Sequence, residues 1–273
     1  SCASCGTPIK PYDNIPVLSW LLLRARARCC GASISVRYPL VELMGGMLSL
    51  AVLEVLVRAL PPETTLIRAS AVYLADFAFC LGLVAAAFID AEHMYLPDPI
   101  TIGGTVLGIA TATVRGQRLG ESIVGAAVGL LGVWLPFVEL YKRVRGRAGM
   151  GLGDAKLTML AGAWFGWVGA VFVIFAGAIQ GTLGALIIFL VRGKIDEPEA
   201  VRADREELER AAAEGDAEAA LALAEDPLGK APEGNAFGQA RIPFGPFLIL
   251  ACLEFLFAGR WILTTYSNFF LGV

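Results

Sequence analysis

The chain has 273 residues, 56% of them hydrophobic and 17% charged, with a formal net charge of −3 and a mean hydropathy of +0.66. So apolar a composition excludes an ordinary soluble domain, and several runs approach the roughly 20 residues that span a bilayer. The acidity is local: residues 192–234 hold 13 acidic and 6 basic residues, leaving 12 acidic and 16 basic elsewhere.

The first 37 residues are polar and hold four of the six cysteines. Cys2-x-x-Cys5-Gly is a turn that presents two thiolates to one metal, and Cys30-Gly31 follows after 24 intervening residues. Two such turns would make a tetrahedral structural zinc site from Cys2, Cys5, Cys29 and Cys30. The second turn is expected to be damaged, because Ala27 stands three before Cys30 and the extra thiol is the adjacent Cys29, which could share a metal only with strain. Disulfides are the alternative, disfavoured if this region is cytoplasmic. Cys80 and Cys252 lie in apolar runs and read as small core residues.

Seven apolar segments follow, over 38–60, 69–89, 99–114, 121–141, 155–169, 170–191 and 243–265, with a tight glycine turn near Gly169 between the fifth and sixth. The fold class expected is all-α, a polytopic helical membrane protein, and the 31 glycines suit close helix approach. Its regions would be a cysteine-containing part (1–37), a helical bundle (38–191), a charged helical insertion (192–242) and a last span with the C-terminus (243–273). Basic residues set the orientation. Lys10, Arg24, Arg26, Arg28 and Arg37 precede the first segment, Lys142, Arg143, Arg145 and Arg147 follow the fourth, and Arg192 and Lys194 follow the sixth. With seven segments these loops share one side, the cytoplasm. The charged stretch 195–234 is expected to form one or two helices with pairs at helical spacing around Asp204–Leu208 and Arg205–Glu209, broken near Gly215 and Pro227. Its simplest role is a solvated insertion.

Asp90 ends one apolar run and Asp154 opens another in Gly151-Leu-Gly153-Asp. A carboxylate near lipid is costly and marks a functional site. Charge parity puts both on the cytoplasmic face at similar depth. Two carboxylates that approach closely cannot both ionise easily, so they share a proton; one activates water while the other polarises a carbonyl. Gly151 and Gly153 would leave room for a substrate backbone. The plainer alternative is that Asp154 caps a helix. Asp98, before Pro99, is expected to be an N-cap, and the lone His93 is expected to be peripheral.

Four stretches occur in order: the cysteine region with YDNIPVLSWLLL and RYPLVEL, then FIDAEHMYLPDPIT, then GMGLGDAKL with GAWFGW, and last RIPFGPFL. In these the chain resembles the type IV prepilin peptidases, membrane aspartic proteases of the GxGD type. The resemblance implies that Asp90 and Asp154 are the catalytic pair and that the substrates are prepilins or pseudopilins. It implies cleavage of a basic leader after a glycine at the cytoplasmic face of the inner membrane, in contact with lipid and with no nucleic-acid partner. S-adenosylmethionine-dependent N-methylation of the new terminus is implied as a second activity. Loops around Tyr12–Trp20 and Ile242–Gly245 would shape the substrate surface. The family's usual first membrane segment is expected upstream of Ser1, making eight. Competing classes are a methyltransferase alone and a proton-coupled transporter using the two acids as a relay.

Overall fold

The computed structural model describes residues 1–145, 150–194, 197–225 and 242–271. It divides into two compact units, Ser1–Thr65 and Leu66–Val273. The described residues are helical or irregular, with one isolated antiparallel bridge between Arg26 and Ser33.

The first unit carries a single-turn 3₁₀ helix (Pro11–Asn14), a short helix α1 (Leu18–Leu22) and α2 (Arg37–Ala51), which continues as a π-helical turn over Val52–Val57. Polar contacts join its motifs. Arg28 holds both oxygens of Asp13 (2.8–3.1 Å), the Trp20 indole N–H reaches the Ile34 carbonyl at 3.0 Å, and Glu42 accepts the Val17 amide at 2.8 Å.

The second unit contains α3 (Leu66–His93), α4 (Asp98–Thr111), α5 (Leu119–Val133), α6 (Tyr141–Arg145), α7 (Leu152–Arg192), α8 (Glu199–Ala213), α9 (Ala217–Glu225) and α10 (Gly245–Leu271). Between α5 and α6 the helix widens to a π form over Trp134–Leu140, around Pro136, whose missing N–H breaks the α pattern. Four helical stretches among the described residues are long and apolar enough to cross a membrane: Arg37–Val57, Leu66–His93, Leu119–Val144 and Leu152–Arg192. With the apolar Gly245–Gly259 part of α10 they make a multi-pass helical membrane protein.

The 41 residues of α7 do not form one rod. Gly166 has φ 75° and ψ −176°, a conformation an L side chain rarely adopts. On α5, Gly129 meets the backbone of Thr158, while Gly132, one turn on, faces the side chain of Ile174. In a straight helix those two α7 residues would stand about 24 Å apart. The chain therefore reverses at Gly166, and the turn expected near Gly169 lies three residues earlier. Gly169 instead packs against Phe165 and Phe255. Arg115 holds the corner: its guanidinium stacks 4.1 Å from the Trp164 ring centroid and donates to the carbonyls of Trp164 (3.0 Å) and Gly108 (2.8 Å). In the amide orientation that satisfies both groups, Gln117 donates to the Trp164 carbonyl at 3.2 Å and accepts from the Gly166 N–H at 3.1 Å. Backbone groups freed by the break are thus satisfied by side chains.

Glycines set the helix spacing. A Cβ on Gly125 would lie 2.2 Å from the Gly162 carbonyl oxygen, and one on Gly129 2.0 Å from that of Thr158. Backbones this close bring Ser122 Oγ to the Ala163 carbonyl (2.7 Å) and Thr158 Oγ1 to that of Gly129 (2.8 Å). Phe79, Leu83, Leu157, Leu160, Trp164 and Leu248 fill the core. Cys80 and Cys252 are fully buried, as expected of core residues.

The insertion docks rather than floats. Gly215 separates α8 from α9, at the expected break, while Pro227 lies outside the described residues. Helix α8 packs on α3, where Asp204 stands 3.8 Å from His93. Arg205 corrects the expected pairing: it reaches back to Glu197 (2.7 Å) in a buried ion pair.

Candidate active site and cysteine cluster

Asp90 lies in the last turn of α3, Asp154 in the first turn of α7 and Gly245 at the start of α10, so three distant segments meet at one end of the bundle. Both aspartates are buried, 5% and 9% exposed, and Leu96, from the turn that follows Asp90, packs on Gly153 beside Asp154. Each uses Oδ2 to accept one glycine amide. Gly245 N–H donates to Asp90 at 2.9 Å, and Gly151 N–H donates to Asp154 at 3.2 Å. The Oδ1 atoms make no protein hydrogen bond among the described residues. Asp154 does half the work of a capping box, bonding the N-cap amide from position N3. One oxygen of each acid therefore anchors backbone, and the other has no protein partner among the described residues.

Glycine is required at 245. A Cβ there would lie 2.6 Å from Asp90 Oδ2. Gly153 is occupied differently from expectation: buried Leu96 fills its open side, with Leu96 Cβ 3.1 Å from where a Gly153 Cβ would sit. Below Asp154, Thr158 Oγ1 bonds the Asp154 and Gly129 carbonyls, fixing this end of α7 to α5.

Asp98 is not a cap. Pro97 takes the N-cap position of α4, no side chain caps that end, and Asp98 Oδ1 accepts Lys156 Nζ at 2.6 Å. Sequence reasoning missed Lys156, yet a signal was present. It is the one basic residue between Met150 and Val191, and a lone ammonium in an apolar helix requires an anionic partner. His93 is half exposed and contacts the insertion, outside the acid pair.

In the first unit the two cysteine turns share one backbone register. Cys2 N–H bonds the Thr7 carbonyl and Gly6 N–H the Cys2 carbonyl; likewise Ala27 N–H bonds Ala32 and Gly31 N–H bonds Ala27, all at 2.8–2.9 Å. Gly6 and Gly31 both take positive φ near 70°. The second turn is therefore intact in backbone, and the damage is confined to the missing thiol at 27. Cys29 supplies it. The four Sγ atoms lie within 4.8 Å of one another, with edges of 3.3 Å (Cys5–Cys29), 3.7 Å (Cys2–Cys30) and 3.9 Å (Cys29–Cys30). A tetrahedral zinc with ~2.3 Å bonds has edges of about 3.8 Å, so this donor set fits a metal. Thr7 beside Cys5 holds that thiol down to about 6, whereas the neighbouring thiols Cys5 and Cys2 push Cys29 up to about 12.

A buried acid pair at one end of a helical membrane bundle, with a separate thiol cluster, defines the class. The Type IV leader peptidase family model matches residues 77–189, and that of the Bacterial Peptidase A24 N-terminal domain matches residues 1–56. A prepilin leader peptidase/N-methyltransferase from Myxococcus xanthus is 33% identical over 292 residues, covering 96% of this chain and 81% of the relative. Proteins of the same name from Aeromonas hydrophila (38% over 195 residues; 70% of this chain, 62% of the relative) and Dichelobacter nodosus (40% over 194; 71% and 64%) are also similar. The chain belongs to the type IV leader peptidase family. Its matches span under two thirds of the length of these last two relatives, and no solved structure matches significantly.

Proposed function

We propose that this chain is a membrane aspartic endopeptidase that removes leaders from type IV prepilins or pseudopilins at the cytoplasmic face of the inner membrane, with Asp90 and Asp154 as its catalytic pair. The observation that supports it best is the arrangement of the acids: both buried at one end of the bundle, each anchored through Oδ2 by a glycine amide, each with Oδ1 uncommitted among the described residues. The ionised member of the pair takes a proton from water, and the oxygen attacks the scissile carbonyl carbon. The protonated member donates a hydrogen bond to the carbonyl oxygen, and the departing amine receives a proton as the tetrahedral intermediate collapses. Both acids at a bundle end favour this over a transmembrane proton relay, which wants acids nearer the midplane.

N-methylation of the new terminus accompanies cleavage in this proposal, with S-adenosylmethionine supplying the methyl group. No described residue marks its cradle, and peptide-bond cleavage does not require it. Cys2, Cys5, Cys29 and Cys30 would hold zinc, which would cross-link the two turns of the first unit. Incubation of the purified chain with a prepilin, with and without S-adenosylmethionine, followed by intact-mass measurement, separates cleavage from methylation. Loss of the leader mass is expected in both arms and a gain of one methyl group's mass only with the methyl donor. Processing that survives Asp90→Asn and Asp154→Asn would overturn the assignment of the pair.

A further inference from the structure

The two acids stand on helices far apart in sequence, and their separation has to be set by something stiffer than a loop. The segment joining α3 to α4 leaves Asp90 within one turn and is strained. Met94 sits at φ +51°, in the left-handed region that an L side chain disfavours, with its N–H on the Asp90 carbonyl at 2.9 Å. The bond is the 5→1 closure of an αL helix end, a position that glycine fills at less cost than methionine. Two contacts to α7 hold it. Leu96 is buried against Gly153, the residue before Asp154, and Asp98 bonds Lys156, two residues after Asp154. The turn after one acid is therefore fastened on both sides of the other. Lys156 is about one-quarter exposed and Asp98 about half, so the pair adds little to global stability. Its place beside the acids gives it geometric leverage instead.

We propose that Asp98 and Lys156 are positioning residues whose ion pair clasps the end of the turn following Asp90 onto the start of α7 around Asp154, so setting the spacing of the acid pair; as a role in catalysis this rests on the proposed peptidase function. Neither residue transfers a proton to substrate. Asp98 is engaged by an ammonium, and the uncommitted oxygens belong to Asp90 and Asp154.

The test uses the full chain in detergent, a prepilin substrate and four variants: Lys156→Met, Asp98→Asn, their double, and Lys156→Arg. Each single neutralisation is expected to lower kcat about 10- to 100-fold, the scale of a misplacement near 1 Å, with KM unchanged. The double should be no worse than either single, since one clasp is lost only once. Lys156→Arg should recover most of the rate. Hydrogen exchange supplies a readout that needs no substrate: amides of Met94, Tyr95 and Leu96 should exchange faster in Lys156→Met, while the body of α7 does not change. Single losses that multiply in the double, a defect confined to KM, or unaltered exchange at 94–96 would each overturn the clasp. A wild-type chain that cleaves no prepilin, with the exchange shift present, would overturn the peptidase function and leave the clasp standing.

Discussion

The two units hold their polar groups by opposite means. In the bundle, buried acids are placed by backbone: glycines let helices and amides approach until a carboxylate has one place to go, as Gly245 does for Asp90. In the first unit the backbone turns are paired in register, but the ligating positions are not, and Cys29 supplies from the turn's tip what Ala27 lacks. A site made by close packing tolerates no added atom. One made by mobile side chains on a repeated turn tolerates a ligand moving two residues along.

That contrast can be broken most severely at the acids. Asp154→Asn should reduce prepilin cleavage about 1000-fold or more, measured by product mass over time. Next comes Gly245→Ala, whose Cβ would intrude on Asp90 Oδ2; a rate loss of about 100-fold with an unchanged circular dichroism spectrum is expected. Gly129→Ala attacks the packing instead, pressing a methyl group into the Thr158 carbonyl. It should cost about 2–3 kcal/mol in thermal unfolding in detergent, because backbone cannot yield as a side chain does.

The first unit should respond more gently and be repairable. Cys29→Ser is expected to lower bound zinc well below one equivalent by elemental analysis, and adding Ala27→Cys should restore it, since position 27 occupies the backbone register of Cys2. The smallest effect is pH linkage. Cys5, held down to about 6, is a thiolate at neutral pH, whereas Cys29, pushed up to about 12, must surrender a proton on binding. Zinc uptake should release protons, and apparent affinity should strengthen from about pH 6 to about pH 8 in a competitive chelator titration. A pH-independent affinity would argue against thiolate ligation by all four.

Much of this was legible in the sequence because membranes simplify it. Apolar runs mark the helical segments, and two acids at their ends, Asp90 and Asp154, mark the candidate site. What escapes the sequence depends on partners far along the chain. The dipeptide Asp98–Pro99 has the local look of a cap, and only the fold reveals that Lys156, 58 residues on, claims its carboxylate. Composition misplaces the reversal by three residues because Gly166 and Gly169 are equally plausible corners; what separates them is that Arg115 and Gln117 satisfy the groups freed at one and not the other. Spacing of thiols suggests a defective knuckle, since side-chain identity at 27 says nothing about the hydrogen bonds its backbone still makes.

The corner at Gly166 also governs how this chain is to be mapped. Counted by length, residues 152–192 are a single crossing, and every later segment would be drawn on the wrong side. Because the polypeptide doubles back, a reporter fused just after Gly193 should report the same compartment as one fused near Gly151. The docking of Asp204 beside His93 independently requires that outcome. A topology map of this chain that counts the stretch once will carry an inverted sign from there to the C-terminus.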